Sequence, residues 1–183
     1  MIRSQDDPKG RVVCHLLDPG INLESRYFGS IGSEHDHKQF PVIFCFISGL
    51  RDLDEAARKL KARVLSLGAG ARWQYPVAIL RLARLLRREK VAVLHAHFFY
   101  PTIVGWIAAR LAGTQFVFTR HHSDHHVRIG KRWHTRVDGL CARGADQVIA
   151  VSEETRRIML GVESVPESKV TVVYNGMRPL AEP

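Results

Sequence analysis

The sequence predicts an α/β fold: a doubly wound, mostly parallel, Rossmann-like sheet of about seven strands with helices on both faces. Three observations carry this. Short runs rich in Val, Ile, Leu or Phe recur along the chain, and longer amphipathic segments separate them. Most of the short runs lack strict apolar–polar alternation, as expected of strands buried on both faces. The repeated strand–helix–strand order then implies a parallel sheet, and right-handed crossovers wind it on both sides.

In chain order, the expected strands are Arg11–Asp18, Pro41–Ile47, Arg63–Leu67, Val91–His95, Gln115–Thr119, Gln147–Val151 and Lys169–Tyr174. Arg51–Ala62 and Tyr75–Glu89 read as helices, the second with Ile79, Leu82, Ala83 and Leu86 on one face and Arg81, Arg84 and Arg88 on another. Pro101–Ala112 has the clearest helix signals. Pro101 suits the first helical position, Ile103, Val104, Ile107, Ala108 and Leu111 make an apolar face, and Gly113 suits the stop. Ile129, Trp133, Val137 and Leu140 mark the face of a further helix. Ser152 is placed to cap another, with Glu153 and Glu154 in the first turn where negative charge is favoured. The least regular stretch is Pro19–Lys38.

A chain of 183 residues suits one sizeable domain. Residues 1–10 read as a flexible lead-in, 11–178 as the domain and 179–183 as the start of a linker. The polar first ten residues lack the apolar core of a secretory signal, and the longest apolar run, Phe40–Ile47, is far short of a membrane span. Cys14, Cys45 and Cys141 are scattered, form no CxxC pair and read as small core residues; such a set suits a reducing, cytoplasmic setting. The net charge of +9 favours an anionic partner. No zinc-finger spacing, aromatic RNP-like strand or Arg/Gly tract supports nucleic acid.

Ligands of such sheets bind beyond the carboxyl ends of the strands. With the strands in the order 3-2-1-4-5-6-7, the loops that share that edge carry Asp18, Gly20 and Asn22; then His95, His97 and Tyr100; then Arg120, His121, His122, Ser123 and Asp124; then Ser152 and Glu153; and finally Asn175 and Gly176. Six of the ten histidines lie there or one turn away. His95 and His97, two apart on or just past a strand, are expected to point the same way. Each position also has a plainer reading: a strand-end histidine packs and hydrogen-bonds, and Asn175-Gly176 makes a turn.

Other chemistries fit less well. Gly68-Ala69-Gly70 follows a strand, but Trp73 stands where a dinucleotide fingerprint needs its third glycine. His121/His125 and His122/His126 have the spacing of helical zinc ligands, but no glutamate or further ligand completes a set, so no metal is expected. No GxSxG elbow is present. The eleven Lys and Arg residues from Arg51 to Lys90 make either an ordinary solvated helix face or a basic surface that rests on anionic lipid.

The motifs in their order are more specific than any one of them. VAVLHAHFFYPTIVGWIAARLAGTQFVFTRHHSD, GADQVIAVSEETRRIML and VPESKVTVVYNGM, spanning Val91–Met177, resemble the amino-terminal domain of glycosyltransferase family 4. The resemblance implies one half of a GT-B enzyme that moves a sugar from a nucleotide-sugar donor to an acceptor with retention. Thr119-Arg120-His121 matches the family's T-x-H, which implies His121 as the catalytic-site histidine. His97 would line the acceptor side, and Asn175-Gly176 would lie beside the interdomain cleft. Gly20, Asn22, Tyr100, Arg120 and His122 complete the expected substrate-binding set. The family's Gly-Gly loop is represented by Gly20 alone.

The resemblance further implies that a carboxy-terminal donor-binding domain holds the nucleotide sugar, so that this chain binds a sugar or lipid-linked acceptor and is inactive alone. No tightly bound cofactor is expected, and the protein would work in the cytoplasm, at the inner face of the membrane. The alternatives are a non-catalytic module for anionic ligands or membrane surfaces and, behind it, a metal-dependent hydrolase.

Overall fold

The computed structural model describes residues 12–18, 36–49, 53–121 and 132–175. One sheet holds β1 (Val13–Leu17), β2 (Val42–Phe46), β3 (Arg63–Ser66), β4 (Val93–His97), β5 (Gln115–Arg120), β6 (Gln147–Ala150) and β7 (Val170–Val172). All neighbours are parallel, in the order β3-β2-β1-β4-β5-β6-β7. Each expected strand is present, with ends displaced by at most two residues. Among the described residues the helices are α1 (Leu53–Leu60), α2 (Tyr75–Arg88), α3 (Phe99–Ala112), α4 (Arg132–Gly144) and α5 (Glu153–Gly161).

Strand alternation divides the buried side chains between two cores. Cys14, Leu16, Ile43, Cys45, Leu94, Ala96, Phe116, Phe118, Val148 and Ala150 meet α2 to α5 on one face. Leu17, Val42, Phe44, Phe46 and Val64 meet Leu60 of α1 on the other. The second face changes character across the sheet. It is apolar on β2 but carries His15 on β1, His95 and His97 on β4, and Thr119 on β5, all matched by strand register. All three cysteines are buried free thiols, in keeping with their reading as core residues.

Two helices use faces other than those expected. Helix α3 buries Pro101, Thr102, Val104, Gly105, Ala108 and Ala109, while Ile107 and Leu111 are exposed. The helix is apolar nearly all round, so periodicity cannot select its inner face. Close approach selects it: a Cβ on Gly105 would lie 3.0 Å from Phe116 and 3.2 Å from Leu16. The helix also starts two residues before Pro101, which falls in the first turn, where its missing N–H leaves no bond unmade. In α4, Trp133 and Leu140 are exposed, whereas His134, Asp138, Cys141 and Ala142 are buried. Asp138 turns inward because Arg120 meets it there. Ile129 lies outside the described residues. Ser152 caps α5 as expected, its Oγ accepting from the Thr155 N–H at 3.1 Å.

Candidate functional site

The polar face of β1, β4 and β5 leads to the carboxyl edge of the sheet. His15 and His95 are register partners on adjacent strands, and His97 is the partner of Thr119. Period-two geometry therefore puts the three imidazoles on one face, with ring centroids 4.2 to 5.3 Å apart. His15 Nδ1 lies 3.0 Å from His97 Nε2, and His97 Nδ1 lies 3.1 Å from His121 Nε2. His95 Nε2 pairs with the Thr119 hydroxyl at 2.7 Å. His121, just past β5, is half-buried and stacks on Phe98 at 4.7 Å.

Phe98 is the hinge of this corner. Its φ of 70° lies in the left-handed region, a strain of about 1–3 kcal/mol for a bulky residue. The turn carries the chain from β4 straight into α3, and the Phe98 carbonyl accepts from both the backbone N–H and the hydroxyl of Thr102. The strained residue thus presses its ring against His121 while its backbone starts the next helix.

Burial keeps the inner histidines neutral. It pushes His95 down to about 4, with a smaller contribution from His121. It holds His97 well below the usual imidazole range, helped by His95, His15 and His121. The nitrogens of His15, His95 and His97 that could bind a metal lie within 4.8 Å of one another. However, both ring nitrogens of His97 are engaged with histidines, so binding a metal there would break one of those hydrogen bonds.

A second group gathers beside the first, from the loops after β1, β3 and β4. The Arg72 guanidinium sits 4.6 Å above the Tyr100 ring, and Tyr75 meets Tyr100 edge-on at 6.0 Å. Burial raises the Tyr75 phenol, and the nearby Asp18 carboxylate raises it further. Hydroxyl, carboxylate and guanidinium groups at one edge suit the recognition of a polyhydroxylated ligand.

Residues 34–179 match the sequence model of Glycosyltransferase Family 4. The chain belongs to that family. No curated protein matches it in sequence. Among solved structures, the fold is similar to Anabaena Alr3699/HepE in complex with UDP-glucose (TM-score 0.74, 15% identity, 91% of this chain and 44% of that one). It is similar also to a glycosyltransferase from Rickettsia africae ESF-5 (0.56, 16%, 89% and 42%). A third likeness is to the UDP-GlcNAc 2-epimerase of Methanocaldococcus jannaschii (0.62, 16%, 90% and 45%). The chain spans less than half the length of these proteins, and the likeness is one of fold, a Rossmann-like α/β domain.

Within this family 4 domain the expected site residues separate. His121 and Tyr100 stand at the carboxyl edge, and Asn175 is exposed just past β7. His97 is fully buried behind His121 and hydrogen-bonded to it. Arg120 is engaged elsewhere. It points to the opposite face, donating to Asp138 at 2.6 Å and to Glu163 at 2.8 Å, because alternation on β5 sends it toward α4 when His121 faces the histidines. Gly20, Asn22, His122 and Gly176 lie outside the described residues, as do His125 and His126 of the zinc-like spacing.

Sequence reading missed His15, Arg72 and Tyr75. His15 could have been found as the one polar residue in the apolar run VVCHLL. Nothing local marks Arg72, in the turn before α2, or Tyr75, which opens α2; both reach the site through the strand order.

Proposed function

We propose that this chain is the acceptor-side half of a nucleotide-sugar-dependent transferase that moves a sugar to an acceptor with retention at the anomeric carbon. The supporting observation is the position of His121. By resemblance it matches the family's T-x-H histidine, and it lies at the carboxyl edge of the sheet, held by Phe98 and by the buried His97. Asp18, Arg72, Tyr75 and Tyr100 offer the neighbouring contacts for a sugar or lipid-linked acceptor. Transfer passes through an oxocarbenium-like state as a diphosphate leaves, so the acceptor hydroxyl must be positioned and the leaving charge neutralised. On this reading His121 orients the reacting hydroxyl. A second domain, supplied by a longer chain or another polypeptide, binds the donor and its diphosphate. The donor is a co-substrate, with no metal or tightly held cofactor needed.

With sugar nucleotides and a panel of sugar and lipid-linked acceptors, the purified chain is expected to give no turnover above background. It is still expected to bind an acceptor, seen by ligand-observed NMR, with affinity reduced about tenfold in His121→Ala, the weight of roughly 1.4 kcal/mol. Robust turnover by the chain alone would overturn the half-enzyme reading, and acceptor binding indifferent to His121 would overturn its assignment.

A specific surface favours membrane docking by this same protein. Trp73, in the turn before α2, and Val77 and Leu80 at its start are 79%, 50% and 50% exposed. Arg84 continues the stripe. Among the described residues no helix is long and apolar enough to cross a membrane. We propose that this stripe rests on an anionic leaflet, that of the cytoplasmic face, with the apolar residues in the interface and arginine at the headgroups. Arg81 donates to the Leu67 carbonyl at 2.7 Å and Arg88 pairs with Glu89, so neither is a clean test. Trp73→Ala combined with Arg84→Gln is expected to weaken binding to phosphatidylserine-containing vesicles about tenfold or more. Absence of binding by the unmodified chain would remove the reading.

A further inference from the structure

The three-histidine row has a consequence for proton placement. Both nitrogens of His97 face ring nitrogens of other histidines, His15 Nδ1 at 3.0 Å and His121 Nε2 at 3.1 Å. A neutral imidazole has one donor and one acceptor. Each N···N contact needs one proton between its two nitrogens, so the donors must run in one direction along the row. With all three rings neutral, two arrangements satisfy this. In the first, His15 Nδ1–H donates to His97 Nε2 and His97 Nδ1–H donates to His121 Nε2; all three rings are then Nδ1-protonated. In the second, His121 Nε2–H donates to His97 Nδ1 and His97 Nε2–H donates to His15 Nδ1; all three are then Nε2-protonated. A charged His97 would donate both ways, but its full burial disfavours that form.

We propose that His15 is a positioning residue: acting through His97, it sets which nitrogen of His121 carries a proton at the carboxyl edge of the sheet. The two arrangements give His121 opposite behaviour toward anything at its Nδ1, a donor in one and an acceptor in the other. His15 is itself fixed, buried and stacked on Phe44 at 5.2 Å with an interplanar angle of 20°. A residue deep in β1 thereby selects the hydrogen-bonding character of a residue at the sheet's edge.

The consequence for sugar transfer rests on the assignment of His121 made above. The relay does not, because it is read in the chain without ligand. In a sample labelled with ¹⁵N at histidine, two-bond ¹H–¹⁵N correlations separate protonated from unprotonated ring nitrogens. His15, His97 and His121 are expected to show one and the same tautomer. His15→Phe keeps the ring and its stacking but removes the nitrogen. It is expected to change the ratio of His121 tautomers about tenfold, on the scale of one buried hydrogen bond. His15→Asn keeps a polar group near the place of Nδ1 that can donate or accept, and is expected to shift the ratio less than His15→Phe. Unlike tautomers within the row of the unmodified chain would overturn the proposal even if the variants fail to fold. So would a folded His15→Phe chain whose His121 signals match those of the unmodified protein. If the relay is seen but His121→Ala leaves acceptor binding intact, the relay stands and the functional assignment falls.

Discussion

Arg120→Leu is expected to destabilise the domain by about 3–5 kcal/mol, because it removes the guanidinium that two buried carboxylates share. Arg120 on β5 bridges Asp138 on α4 and Glu163 just past α5, and Arg143 adds a bond to the Glu163 carbonyl at 2.7 Å. Burial pushes the Glu163 carboxyl up to about 7, against the pull of Arg120 and with a further push from Asp138. Between its ordinary value of 4.5 and about 7, the folded chain keeps a proton that the unfolded chain has released. The contribution of Glu163 is therefore fully present below about 4.5 and is lost as pH rises toward 7, a slope worth a few kcal/mol in total. His95 acts in the opposite sense, since its lowered value costs stability as pH falls from about 6.5 toward 4. Urea unfolding of unmodified, Arg120→Leu and Glu163→Gln chains across this window separates them. The Arg120→Leu deficit is expected to narrow in acid, and Glu163→Gln to remove the falling limb. A cost below about 1 kcal/mol for Arg120→Leu at neutral pH would show that the cluster is not buried as described.

Phe44→Ala is expected to cost about 3–5 kcal/mol, through lost burial and the cavity left behind. Phe44 is fully buried in the smaller core, among Leu17, Val42, Phe46, Leu60 and Val64. Its ring also supports His15, so the same change is expected to loosen the histidine row. Phe44→Leu should cost much less, about 1–2 kcal/mol, while removing the stack. Urea midpoints measure the stability, and the histidine ring signals report the row. A small cost for the alanine variant would mean that this face of the sheet is loosely packed. An unchanged row in the leucine variant would mean that Phe44 does not hold His15.

The contrast between β2 and β4 shows how far composition reaches. The run PVIFCFI reads as a strand buried on both faces, and so it is. The run VAVLHAH reads as a strand with two histidines at its end, and the side they share follows from their spacing of two. What neither run contains is the partner. His15 is eighty-two residues from His97 in sequence and hydrogen-bonded to it only because β1 and β4 are neighbours in the sheet. Arg120 makes the same point in the other direction. Its place beside His121 in sequence suggests a shared site, yet alternation along an extended strand sends adjacent side chains to opposite faces.

The sequence by itself determined the α/β class, the seven strands, the cap at Ser152 and the family, because apolar periodicity and local motifs are short-range properties of the chain. Only the tertiary structure decided which face of each helix is buried, that His97 and Arg120 turn inward, and that His15 stands behind His121. Those outcomes depend on strand register and on the close approach of helix to sheet, which join residues far apart in sequence and so leave no local pattern to read.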